Sequence, residues 1–297
     1  MLKYHGVGRF TGINMVPALL GVFNIYYSGE HFISTYKSHG YITGQTLTFC
    51  GREVFDMDGG AIERMKWDNH DHEMISLFCD GNFTPFIGSH YPLLTGPNSI
   101  RIRCLYGKSA LSYSLEYTKQ FFNKYREQPK FFKLGITEAH EGTNEVIKYS
   151  DEELLQFFEE FESAGHLDET AVIFHSDHGV SMIGPYSAME LEDFVHELVL
   201  PSLFFILPKS MKDYEAVKEN FVHNENSIVT PFNLFNTFKA FVNDRKAAKY
   251  AFQDRNEIVN NKISRDADCG RFYSDDYYEN IEFICRCKNE SNDLSIT

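Results

Sequence analysis

Three largely apolar runs, separated by helical patterns, constrain this chain most. Phe131 to Ile136, Ala171 to Phe174 and Leu198 to Leu207 are continuous rather than alternating. Strands of that kind are buried on both faces, which in a soluble domain requires helices above and below the sheet. The intervening patterns supply them. Ala110 to Arg126 places Leu111, Leu115, Phe121, Phe122 and Tyr125 partly in helical register, and Ser150 to Gly165 places Leu154, Leu155, Phe157, Phe158 and Phe161 on one face. Ser150 and Glu153 have the spacing of a capping box, Gly165 is the stop signal, and Thr230 with Pro231 starts a further helix running to about Val242. The order of helix and strand predicts an α/β class, with a central sheet covered on both faces.

The chain's 297 residues suit one large domain or two small ones, and an apolar fraction of 43% is ample for a core. A net charge of -14 argues against a nucleic-acid partner, because phosphate backbones need a clustered positive field. No run reaches the length of an apolar membrane span. Met1 to Leu20 lacks the charged start and unbroken apolar stretch of an export signal. Cys50, Cys79, Cys104, Cys269, Cys285 and Cys287 are even in number and scattered, without zinc-ribbon spacing. Both extracellular disulfides and buried cytosolic thiols are compatible with that pattern. Residues 50–105 are turn-rich and weakly periodic, and the polar, cysteine-bearing tail beyond about Arg255 reads as an appendage.

Chemistry concentrates where strands end. The run Ala171 to Phe174 empties into His175, Ser176, Asp177, His178 and Gly179. An adjacent carboxylate and imidazole at a strand end pose one oxygen and one nitrogen donor, a set suited to zinc or manganese. Gly179 is expected to turn the backbone sharply behind the pair through positive φ. Ile136 is followed by Thr137, Glu138, Ala139 and His140, so His140 falls at a parallel strand end, placed to ligate a metal or donate to a substrate oxyanion. Asn69, His70, Asp71, His72 and Glu73 are dense in ligand types but have no framing strand, and read as a solvated acidic loop. His166 and His175 read as packing or surface residues. His196, before Glu197, either approaches the metal or orients its loop.

The glycine-rich stretch from Gly6 to Asn14 feeds a short helix that closes at Gly21, with Thr11 at or near its N-cap. A hydroxyl there meets unpaired backbone N–H groups and the positive end of the helix dipole, which favour an alkoxide and a bound anion. Asn14, one turn on, is expected to offer its amide to a developing oxyanion. A structural helix cap is the plainer reading of the same threonine. No phosphate-binding Gly-rich loop or Gly, X, Ser, X, Gly elbow is present.

Thr11, Gly12, Ile13, Asn14 followed by Leu19, Leu20, Gly21 resembles the nucleophile motif of the phosphodiesterase branch of the alkaline phosphatase and sulfatase superfamily. Ser176, Asp177, His178, Gly179 resembles that superfamily's late metal motif. With Cys104, Tyr113 to Tyr125, Phe131 to His140, Leu167 to Thr170, Glu197 and Pro201 to Pro208, the pattern is similar to an uncharacterised sulfatase-like family of animal proteins, generally extracellular. The resemblance covers most of residues 3–245. It implies an alkaline-phosphatase-like domain over residues 1–250 and a cysteine-containing appendage over 251–297. It also implies metal-dependent hydrolysis of a phosphate or related ester, with Thr11 as nucleophile. Asp177, His178 and Thr11 would bind zinc or manganese, and Asn14 and His140 would hold substrate oxygens. Sulfatases proper use a cysteine in a Cys, X, Pro, X, Arg frame, so threonine at position 11 disfavours sulfate esters. Family members begin with a strand that ends in a metal-binding Asp upstream of the nucleophile segment. This chain lacks that segment, so the sequence reads as shortened at its N-terminus, with an incomplete metal site. The alternative reading is a non-catalytic extracellular binding protein or vestigial pseudoenzyme.

Overall fold

The structure is a computed structural model that describes residues 1–8, 10–22, 31–49, 70–79, 104–141, 143, 145–179, 191–242 and 257–266. In chain order the elements are α1 (Thr11–Leu20), α2 (Phe32–Ser38), β1 (Ile42–Leu47), β2 (His72–Met74), β3 (Cys104–Leu105), β4 (Lys108–Ser109), α3 (Ala110–Lys124), β5 (Lys130–Gly135), α4 (Ser150–Ser163), β6 (Val172–His175), α5 (Leu191–Val199), β7 (Leu203–Ile206), α6 (Tyr214–Asn224) and α7 (Pro231–Phe241). The class is α/β, as the alternation of helices and apolar runs predicts.

Three strands form a parallel sheet in the order β2-β1-β5, with Gln45 opposite both Glu73 and Lys133. Its two faces are covered differently. One face takes α3, where Phe121 and Phe132 close over Gly44 so tightly that an added Cβ would lie 2.7 Å from Phe132. The other takes α2 and α7 through Phe131, Phe32, Tyr36 and Phe238. Among the described residues β6 pairs only with β7, antiparallel, with Ile173 opposite Phe205. Ile173 and Phe205 pack against α6, α7 and the segment carrying Ile258, Val259 and Ile263.

Two local readings are corrected. The capping box at Ser150 and Glu153 does not form, because a tight helical turn over Val146–Tyr149 runs directly into α4, leaving Ser150 inside the helix. Glu153 instead accepts from the Ser109 hydroxyl at 2.8 Å, and Ser109 caps α3 by accepting from the Ser112 amide. The apolar run Leu198 to Leu207 is divided: Leu198 and Val199 end α5, and the strand begins at Leu203, beyond Pro201. Independently of these, residues 257–266 contribute Ile258, Val259 and Ile263 to the core, with Ile258 fully buried. The rest of the expected appendage lies outside the described residues. The stop at Gly165 is as expected, in the left-handed conformation at φ 78°.

His72 and Glu73 also belong to a strand, β2, and the surrounding cluster is structural. Asp71 accepts from the Thr43 amide at 2.8 Å and pairs with Lys37 at 3.4 Å, while Glu73 accepts from Gln45 at 2.7 Å. His70 is buried against Phe131. Asn69 lies outside the described residues. His166 packs between Phe122 and Phe161, as a packing histidine should.

Candidate active site

The N-terminal segment reaches the site by threading along two loops. Tyr4 bridges Val229 in parallel, and the Gly6 amide donates to Val199 at the end of α5. Asn14 then folds the next residues onto α1. Its Oδ1 accepts from the Val7 and Gly8 amides at 2.7 and 3.2 Å, and its Nδ2 donates to the Gly8 and Phe10 carbonyls at 2.9 and 3.2 Å. Four bonds to backbone occupy this buried amide in the structure. Here its visible work is to shape the loop that delivers Thr11.

Thr11 is the first residue of α1, one place beyond the N-cap, which is Phe10. Its side chain makes no cap. Thr11 Oγ1 lies 3.1 Å from His178 Nε2, joining positions 167 residues apart. His178 Nδ1 lies 2.5 Å from the Gly179 carbonyl. A carbonyl only accepts, so Nδ1 carries the proton, and in the neutral form of the ring Nε2 presents its lone pair to Thr11. Asp177 Oδ2 lies 3.4 Å from the same nitrogen, is buried, and has no hydrogen-bond partner.

Two contacts hold this strand end in place. The Ser176 hydroxyl donates to the His178 carbonyl at 2.8 Å, and the Gly179 amide donates to Leu198 at 2.9 Å. Gly179 is needed for close approach, not for positive φ: an added Cβ would sit 1.8 Å from the Glu197 carbonyl oxygen. His196 is half-buried one residue before that carbonyl, on the helix that supports the turn.

His140 follows β5 in a turn closed by its amide on Thr137 at 2.9 Å. Burial holds its pKa below the ordinary histidine value, with the neighbouring His178 adding to that and Asp177 opposing it, so the ring lies within electrostatic reach of both. Upstream, the Thr48 hydroxyl receives the Thr137 amide at 2.9 Å and donates to Glu138 at 2.8 Å. Downstream, the buried Glu141 carboxylate gathers the amides of Thr143, Glu145 and Val146. Neither anchor is legible in the sequence, because each depends on which loop a buried polar atom meets.

Thr11, Asp177 and His178 are therefore brought to one place, at the carboxyl end of β6 and the start of α1, with His140 in the turn after β5 within electrostatic reach of Asp177 and His178. Among the described residues no three His, Cys, Asp or Glu side chains converge on a common point. The orphaned Asp177 oxygen, the Nε2 lone pair and the Thr11 hydroxyl do fit a hard or borderline divalent cation as three mixed donors.

Solved structures of other proteins share this α/β fold. The C-terminal periplasmic domain of EptC from Escherichia coli superposes with a TM-score of 0.56 at 10% identity, covering 89% of this chain and 75% of that one. A Bacteroides thetaiotaomicron protein of a core genetic locus for the metabolism of multiple glycosaminoglycans gives 0.51 at 12% identity with the same coverage. Within that fold, the chain belongs to the family described as protein of unknown function, DUF229, whose model matches residues 79–268. No curated protein matches the chain by sequence.

Proposed function

We propose that this protein hydrolyses a phosphate or related ester, with Thr11 as nucleophile and a divalent metal held by Asp177, His178 and Thr11. The observation that carries the reading is the Thr11 Oγ1 to His178 Nε2 approach of 3.1 Å beside the unpartnered Asp177 oxygen. A zinc or manganese ion bound there supplies positive charge that favours the ionised hydroxyl and a substrate oxygen. The chain's own residues do the rest. Thr11 sits on the first turn of α1, where free N–H groups face an incoming anion. The His178 Nε2 lone pair would be taken up by the metal, the Thr11 hydroxyl would give its proton to solvent water, and His140 donates to a substrate oxygen. Attack by Thr11 Oγ1 on phosphorus expels the alcohol and leaves a covalent ester on Thr11; water then cleaves that ester, releases phosphate and restores the hydroxyl. Asn14 serves by fixing the 7–10 loop, and reaches a substrate oxygen only by giving up a bond to Gly8 or Phe10.

The superfamily's fold and the scattered cysteines support an extracellular setting, with disulfides among some of those cysteines. A second reading, a non-catalytic binding protein, is favoured by one observation: the described residues offer one carboxylate and one imidazole, short of three such ligands. Purified protein assayed on an aryl phosphodiester, with and without added zinc or manganese, separates the two. Metal-dependent turnover abolished by Thr11→Ala supports the hydrolase. Absence of turnover in the unsubstituted protein, or turnover indifferent to Thr11→Ala, rejects it in favour of the binding protein.

A further inference from the structure

Glu141 has no part in the reaction as drawn, yet it is 1% exposed and next to His140. Its Oε2 accepts from the Thr143 amide and hydroxyl, each at 2.7 Å, and its Oε1 accepts from the Glu145 amide at 2.7 Å and the Val146 amide at 3.3 Å. Burial raises its pKa, and these four donors outweigh that and leave it below the ordinary carboxylate value. A buried carboxylate that takes the amides of its own following loop fixes backbone, because each N–H it accepts removes a freedom from Thr143, Glu145 or Val146. On the other side of His140, Thr48 clamps Thr137 and Glu138. The imidazole thus projects from a three-residue span anchored at both ends.

We propose that Glu141 is a positioning residue that fixes the turn carrying His140 at the end of β5; the activity part of this rests on the hydrolase reading above. The alternative for such a carboxylate is a purely structural staple, and the two differ in what they couple to. A staple lowers stability and leaves the effect of His140→Ala unchanged. A positioning residue acts through His140, so removing His140 removes the benefit of Glu141.

The test is a double-mutant cycle in the full chain, using His140→Ala, Glu141→Gln, Glu141→Ala and the doubles, read by kcat and KM on an aryl phosphodiester with zinc. Glu141→Gln keeps one accepting oxygen and is the variant to rely on where Glu141→Ala fails to fold. The expected result is a kcat lowered about 10-fold in Glu141→Gln and up to about 100-fold in Glu141→Ala, as for a catalytic group displaced by about 1 Å, with KM little changed. Each double variant is expected to be no slower than His140→Ala alone. Multiplicative losses in the doubles overturn the proposal. An independent readout needs no turnover: the His140 ring resonances in metal-free protein, assigned through His140→Ala, move in Glu141→Gln. Unmoved resonances overturn the positioning role even if the protein proves not to be a hydrolase.

Discussion

Gly179→Ala isolates the contact that seats the Asp177 and His178 strand end. The new methyl would begin 1.8 Å from the Glu197 oxygen and 2.6 Å from its carbonyl carbon, both backbone atoms of α5. Neither can swing aside as a side chain would. Restoring ordinary contact requires the turn and the end of α5 to part by more than about 1 Å. That opens the 2.9 Å bond from Gly179 to Leu198 and strains the buried strand end. A lost buried hydrogen bond costs about 1–3 kcal/mol and overpacking a similar amount, so the variant should lose roughly 2–5 kcal/mol. Against a total of about 5–15 kcal/mol, the urea midpoint falls clearly while the slope stays the same. The same displacement moves His178 Nε2 away from Thr11, so hydrolysis should fall by about 100-fold even where the variant remains folded. A Gly179→Ala protein within about 0.5 kcal/mol of the parent, the scale of an ordinary surface substitution, refutes the close-approach argument.

Other perturbations follow from the same geometry. Asn14→Ala removes four buried bonds and should cost about 3 kcal/mol in urea unfolding, with a larger loss of activity than stability alone explains; a neutral variant contradicts its role as the loop's anchor. His166 is held below the ordinary histidine pKa by burial, then by Arg126 and Lys130. The folded state therefore binds its proton less readily than the unfolded chain, so this contribution is full above the ordinary value near 6.5 and is lost as pH falls below it. Unfolding free energy measured from pH 7.5 to 5 should fall less steeply in His166→Gln than in the parent; equal slopes reject the assignment. Cys104 is an exposed free thiol, and the other five cysteines cannot all pair within one chain. Thiol titration of denatured, unreduced monomer should find at least two free thiols per chain; a fully blocked chain is the contrary result.

The candidate site residues are readable because donors at a strand end need only a local pattern. Asp177 and His178 follow an apolar run, and Thr11 opens a run that ends at a glycine. Their meeting at 3.1 Å follows from both elements ending on one side of the fold, a property of the α/β class. Contacts across the fold were not readable. The spacing of Ser150 and Glu153 suits a cap, but nothing local reveals that a preceding helical turn displaces it or that Ser109 claims the glutamate. Gly179 was legible as a special position for the wrong reason, since a sequence cannot show a carbonyl from residue 197 behind it. Asn14 was expected at the substrate and is instead saturated by backbone, because the strongest partners of a buried amide are the nearest unpaired backbone groups. β2 leaves no mark in the sequence because three residues are too few to show periodicity.

The central claim is that Thr11 becomes covalently esterified during turnover. Acid quenching of the zinc- or manganese-loaded protein in the presence of aryl phosphodiester, followed by peptide mass spectrometry, reads this directly. The account predicts a phosphoryl-type adduct on the peptide carrying Thr11, present during turnover and missing from Thr11→Ala. Rapid turnover with no adduct, or an adduct on any other residue, would contradict it.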